Sequence, residues 1–297
     1  MIRQYIFSDK LSIGTAQLGY TYGIKNNSGK ISFSEAKNIF RNAYKRGINN
    51  LDTAVAYGES EYQLGKIGVK NWNVTTKLPS IPKNCSNLEH WVNSVFQNSL
   101  NHLKLKKIYA LLLHNPKDLL ESNGQELYRI IQSLKEKKLI NKFGVSLYET
   151  EKTNLILSRF KIDIIQVPFN IIDRRILKNE FIDYIKDKKI EIHTRSTFLQ
   201  GLLLMNFYER PSKFDKWKNI WKKFDEWTKD SKISPLQACL GYVLSFPQID
   251  KIIVGLDSNL QLLQIFEVNK PIVDVPQNIS SSNIQLIDPS KWNLLKI

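Results

Sequence analysis

A chain of 297 residues, 42% hydrophobic and 24% charged, is long enough to bury a large core and has the composition of an ordinary globular protein. Two cysteines, Cys85 and Cys239, are too few for a disulfide framework and suit a reducing, cytoplasmic setting. No apolar run reaches the roughly 18 residues that a membrane helix needs, and Met1-Ile2-Arg3-Gln4-Tyr5 lacks the charged-then-apolar pattern of a signal peptide.

In chain order, short apolar runs alternate with helical patterns. The spacing predicts strands over residues 11–15, 48–53, 72–77, 108–114, 142–146, 162–167, 190–195 and 251–254. Several are continuously apolar, as strands buried on both faces are. Between them, Ser34 is positioned to cap a helix to Lys45, with Gly47 at its end. A short helix follows over 60–67 and a longer one over 86–103, whose apolar residues include Leu88, Val92, Phe96, Leu100 and Leu103. Leu127, Ile130, Ile131 and Leu134 form the next stripe, and residues 149–158 and 180–186 read as helices. Two more, over 214–227 and 235–245, precede the last strand, the second with Pro235 in its first turn.

Eight strand–helix units predict an α/β protein, a (β/α)8 TIM barrel forming a single domain over residues 1–297. An open doubly wound sheet is the alternative. Gly14, Gly19 and Gly23 lack the spacing of a dinucleotide-binding Gly-x-Gly-x-x-Gly turn. The net charge of +15 invites a polyanion partner, but the lysines fall in groups (104/106/107, 135/137/138, 186/188/189) at the ends of helical segments. Cations there complement the helix dipole, so they read as capping groups and no nucleic-acid partner is expected.

In a barrel, chemistry gathers at the C-terminal ends of strands. Asp52, Lys77 and His114 end the second, third and fourth strands, and Tyr57 follows Asp52 in its loop. Ser146, Gln166, Asn170 and Ser196 end or follow the next three. A phenol can serve as a proton donor when a cation and an orienting group accompany it, and Lys77 and His114 are placed to do so. No His, Cys or carboxylate cluster has metal-ligand spacing, so no metal is expected. His193 reads as a structural residue inside the seventh strand, and Trp217, Trp221 and Trp227 as packing residues.

These motifs resemble the aldo-keto reductase superfamily over residues 11–266: Leu51-Asp52-Thr53-Ala54 with Tyr57-Gly58, Ser60-Glu61, Leu64-Gly65, Thr76-Lys77-Leu78, Leu113-His114-Asn115, Gly144-Val145-Ser146 and Gln200-Gly201-Leu202. The wording of 14–19 and 195–201 is similar to bacterial members, which are associated with sugar gene clusters. The resemblance implies a catalytic tetrad of Asp52, Tyr57, Lys77 and His114, with Lys77 lowering the pKa of Tyr57 and Asp52 holding Lys77. It implies NAD(P)H-dependent reduction of a small-molecule aldehyde or ketone, a sugar or sugar derivative among them, with hydride from the nicotinamide and a proton from Tyr57. Cofactor contacts are implied at Ser146, Gln166, Arg195, Ser196, Gln200, Gly201, Leu202, Gly255, Asp257 and Gln261. The sequence departs from the family at Leu147, where Asn is usual, at Arg195, where an aromatic ring often stacks on the nicotinamide, and at Asp257, where a cation often meets a 2′-phosphate. NADP is the family default and NAD the alternative that Asp257 raises. A slow cofactor-sensing regulatory subunit, or a lyase or epimerase using nicotinamide transiently, remain alternatives; oligomeric state is unassigned.

Overall fold

The computed structural model describes residues 7–24, 26, 29–148 and 153–295. Among them, eight parallel strands close into a barrel in sequence order. They are β1 (Leu11–Gly14), β2 (Asn50–Asp52), β3 (Asn73–Leu78), β4 (Ile108–Leu113), β5 (Ile140–Ser146), β6 (Ile164–Pro168), β7 (Glu191–Arg195) and β8 (Lys251–Gly255). The seam is the pairing of β1 with β8, where Leu11 faces Ile252 and Gly14 faces Gly255. The (β/α)8 reading therefore holds, and the open-sheet alternative falls.

The helices are α1 (Ala16–Gly19), α2 (Phe33–Lys45), α3 (Ser60–Ile67), α4 (Leu88–Leu103), α5 (Gly124–Glu136), α6 (Thr153–Arg159), α7 (Phe181–Asp187), α8 (Lys218–Asp230), α9 (Pro235–Leu244), α10 (Asn259–Phe266) and α11 (Ile284–Ile287). Side chains alternate across each strand. The outward set, such as Leu51, Val74, Leu111, Phe143, Ile165 and Ile192, joins the inner faces of the helices in one continuous core. Ala110, Leu112 and Ile164 form a small separate cluster.

Helix starts differ from expectation by a few residues, for local reasons. Ser32 caps α2, accepting from the Glu35 N–H at 3.2 Å, so the helix begins before Ser34. Asn87 caps α4 by accepting from the His90 N–H at 2.9 Å. The segment expected as one helix over 214–227 splits into a 3-10 turn, Ser212–Trp217, and α8. Residues 149–152 of the expected 149–158 helix lie outside the described residues, as does the 1–5 segment.

One lysine of each group, and Lys232 as well, ends a helix in the same way. Lys104, Lys138, Lys189 and Lys232 take left-handed backbone angles (φ 55°, 58°, 57° and 54°) just past α4, α5, α7 and α8. The next residue then bonds back into the helix: Leu105 to Leu100 O at 3.0 Å, Leu139 to Leu134 O at 3.0 Å, Ile190 to Ile185 O at 3.3 Å and Ile233 to Thr228 O at 3.0 Å. This is the Schellman ending, with lysine in the place usually taken by glycine, as Gly47 takes it after α2. At the strand-start end of the barrel, Lys142 and His193 flank Glu191, and Tyr109 donates to it at 3.2 Å. Burial would raise the Glu191 pKa, but His193 and Lys142 bring it down to about 2. Among the described residues, no helix is long and apolar enough to cross a membrane, and no cluster of three or more His, Cys, Asp or Glu could hold a metal.

Candidate active site

The opposite, strand-end mouth gathers the predicted polar groups. Strand β2 delivers Asp52, whose main-chain carbonyl is held by Thr15 from both its N–H (3.1 Å) and its hydroxyl (3.0 Å). Thr15 is in turn fixed by the Ser60 hydroxyl at 2.8 Å. The neighbouring Glu61 is buried and accepts from Thr76 at 2.6 Å, tying α3 to β3. Ser60-Glu61 thus fixes the loop that carries Tyr57. Gly19 lies so close to this loop that a Cβ there would meet Tyr57 O at 1.7 Å. Gly58 turns away with φ +55°.

Lys77 is fully buried; its Nζ donates to Asp52 Oδ2 at 2.6 Å and to Thr53 O at 2.9 Å. It also sits 5.1 Å from the centroid of the Tyr57 ring. His114, placed by its N–H bond to Leu78 O at 2.9 Å, meets Tyr57 edge-on with centroids 5.9 Å apart. The structure therefore brings Asp52, Tyr57, Lys77 and His114 together. Burial drives the Lys77 pKa down, against the pull of Asp52. Burial also lowers His114 to about 4, helped by Lys77, so the imidazole is neutral at physiological pH.

The expected acidification of Tyr57 by Lys77 is corrected here. Burial first, then the Asp52 carboxylate, pushes the phenol well above 10, so Tyr57 holds its proton in the free protein.

Gln166 is fully buried and gives its Nε2 to Asp52 Oδ1 at 2.6 Å, so both carboxylate oxygens are engaged. Ser146 donates to Gln166 Oε1 at 3.4 Å. Leu147 is buried, and its carbonyl receives Arg195 Nη2 at 3.2 Å. Arg195 lies 4.1 Å from the Tyr148 ring centroid. Ser196 (φ +65°), Leu199 (φ +47°), Gln200 (φ +54°) and Gly201 (φ +88°) wind the loop after β7 in left-handed turns. Asn170 steadies that loop through Ser196 O at 3.0 Å. Leu202 is buried and can offer only its main chain to a ligand. Gly255 opens the β1–β8 side, where a Cβ would strike Gln17 Nε2 at 2.3 Å. Asp257 accepts from Asn26 at 3.2 Å, and its N–H is taken by Gln261 Oε1 at 2.7 Å.

The residues missed in the sequence are mostly aromatic. Tyr20 and Tyr22 pack against each other at 5.9 Å, Tyr20 meets Tyr57 at 6.2 Å, and Tyr22 receives Gln200 Nε2 at 3.4 Å. The Tyr20-Thr21-Tyr22 run just after β1 was the available signal. Thr197 Oγ1 is buried without a partner.

A barrel with a buried lysine–carboxylate pair beneath a tyrosine and a histidine at its strand-end mouth has the design of a carbonyl oxidoreductase. The model of the Aldo/keto reductase family matches residues 10–277, and the chain belongs to that family, whose members are oxidoreductases that use nicotinamide cofactors. It is 24% identical over 277 residues to the uncharacterized oxidoreductase YqkF of Bacillus subtilis (strain 168), covering 85% of this chain and 88% of the relative. It is 27% identical over 178 residues to the glyoxal reductase of the same organism, covering 58% of this chain and 62% of the relative. In fold it is similar to an aldo-keto reductase from Bacillus halodurans in its holo form (TM-score 0.73, 18% identity, 95% of each chain). It is also similar to the glycerol dehydrogenase of Gluconobacter oxydans (TM-score 0.68, 20% identity, 94% of this chain and 92% of that one).

Proposed function

We propose that this enzyme reduces a small aldehyde or ketone to the alcohol, with Tyr57 as proton donor. The observation that carries the reading is the fully buried Lys77, bonded to Asp52 at 2.6 Å and set against the Tyr57 ring beside His114. Neutral His114 hydrogen-bonds the carbonyl oxygen and aims it at Tyr57. Tyr57, protonated across the physiological range, gives its proton to the oxygen as negative charge grows there. Lys77 stabilises the phenolate left behind, and Asp52 and Gln166 keep the ammonium in place.

The mouth fits a nicotinamide dinucleotide, which supplies hydride to the carbonyl carbon when bound. Thr197 offers a buried, unmatched hydroxyl beside a loop whose left-handed turns can present successive N–H groups to a pyrophosphate. Ser196, Gln200, Gly201 and Leu202 belong to that cradle, while Ser146 and Arg195 face the nicotinamide end. Gly255 and Gln261 frame the ribose end with Asp257. The assignment is NADP(H), the family preference, with NAD(H) as the second arm, because Asp257 is a carboxylate where a 2′-phosphate would need a cation. Fluorescence titration with both reduced dinucleotides separates them; equal or tighter NADH binding reassigns the cofactor.

Tyr57→Phe tests the chemistry. It should lower kcat on a carbonyl panel by about 100-fold or more while dinucleotide binding persists. Unchanged turnover would remove Tyr57 from the reaction.

A further inference from the structure

The cations at the mouth differ in how they are paired. Lys77 is matched by Asp52. His114, with a pKa near 4, is neutral at physiological pH. The remaining cation is Arg195, at the end of β7, and among the described residues no ion pair joins it to a carboxylate. Its bonds go to neutral acceptors, Leu147 O at 3.2 Å and Ser196 Oγ at 3.4 Å. The guanidinium is half-buried, stacked on Tyr148 at 4.1 Å, and its charge is felt at Tyr57, Tyr22 and His114 alike. Stacking leaves the in-plane N–H groups that Leu147 and Ser196 do not take available to a planar anion, and desolvation by the surrounding rings strengthens such a bond.

We propose that Arg195 is a specificity-determining residue that selects carbonyl substrates carrying an anionic group, a carboxylate first. The proposal rests on the reductase reading above and names its substrate class. One end of the substrate is the carbonyl between Tyr57 and His114; the other is an oxyanion held by Arg195 against Tyr148. Tyr20 packs edge-on against Tyr57, and Tyr22 packs against Tyr20.

The test uses two near-isosteric aldehydes, 4-carboxybenzaldehyde and neutral 4-nitrobenzaldehyde, with glyceraldehyde 3-phosphate against glyceraldehyde as the phosphate arm. The wild-type enzyme should favour the anionic member by about tenfold or more in kcat/KM, expressed mainly in KM. Arg195→Gln should remove that preference, Arg195→Lys should keep part of it, and added salt should weaken it. A preference in either pair supports the proposal, and the pair that shows it names the anion. Equal use of charged and neutral aldehydes by the wild type overturns it. So does an Arg195→Gln variant that loses both substrates in step with a rise in dinucleotide Kd, which would assign the arginine to the cofactor. Calorimetric binding of benzoate against benzamide, with NADP+ present, needs no turnover. A silent carbonyl panel with Arg195-dependent benzoate binding would refute the reductase reading and leave the anion site standing.

Discussion

His114 offers a sharp quantitative test. Burial, reinforced by Lys77 and partly opposed by Asp52, takes its pKa from 6.5 to about 4. A depressed pKa means that the unfolded chain binds the proton more readily. The group therefore contributes stability above about pH 6.5, and that contribution is lost as pH falls toward 4. At ~1.4 kcal/mol for each tenfold change in proton affinity, the full effect is about 3 kcal/mol. Partial exposure of the ring discounts this, leaving about 1–2 kcal/mol already lost at a pH of about 5. Urea denaturation of wild type and His114→Gln, each at about pH 8 and pH 5, isolates the term. The wild type should lose about 1–2 kcal/mol more than the variant on acidification. NMR titration provides the direct reading, with the His114 ring signal identified by its absence from the variant. A His114 ring that titrates between about pH 6 and 7, or equal acid losses in the two proteins, would refute the burial argument. Removing a positive neighbour should move the same signal upward, so Arg195→Gln is expected to raise the His114 pKa.

Three further outcomes follow from the packing. Asp52→Ala leaves the fully buried Lys77 without its counter-charge and should cost about 3–5 kcal/mol in urea denaturation, whereas Lys77→Met with Asp52→Asn should recover part of that loss. A loss under 1 kcal/mol (roughly the surface-pair range) would show that Lys77 is hydrated. Gly19→Ala places a methyl against Tyr57 O, so the Tyr57 loop must shift; kcat should fall by about tenfold or more with the far-ultraviolet circular dichroism spectrum retained. Lys138→Gly relieves a left-handed lysine after α5 and should raise stability by about 0.5–1 kcal/mol net of the added chain entropy, read as a shift in urea midpoint.

The fold was legible because β4 (Ile108–Leu113) and the centre of β8 (252–254) are apolar runs of the kind buried on both faces. Helix starts were less legible: the sequence points to Ser34 as the cap of α2, and a local pattern does not say which hydroxyl reaches back to a helix N–H. The choice falls to Ser32, whose hydroxyl reaches the Glu35 N–H. The basic clusters were legible in role, as helix ends, but not in detail. Nothing in the composition says that lysine takes the left-handed position that glycine occupies at Gly47.

The candidate site divides along the same physical line. Asp52, Lys77 and His114 could be placed because each closes an apolar strand, and strand ends share one face of a barrel whatever the register. Side-chain pairings across the barrel carry no such local signature. Gln166 is 114 positions from the Asp52 carboxylate that accepts its amide N–H, a pairing that no local pattern announces. Arg195 and Tyr148 stack across a β6 strand and its loops. The same pattern governs what each residue does to the chemistry. A single strand-end position fixes which functional group arrives at the mouth, but its charge state depends on partners brought by other strands. Lys77 is paired with Asp52, whereas among the described residues Arg195 is bonded to neutral oxygens. The reaction type is therefore written in short motifs, while the proposed choice of substrate turns on the surroundings of Arg195, which become visible only when the barrel is closed.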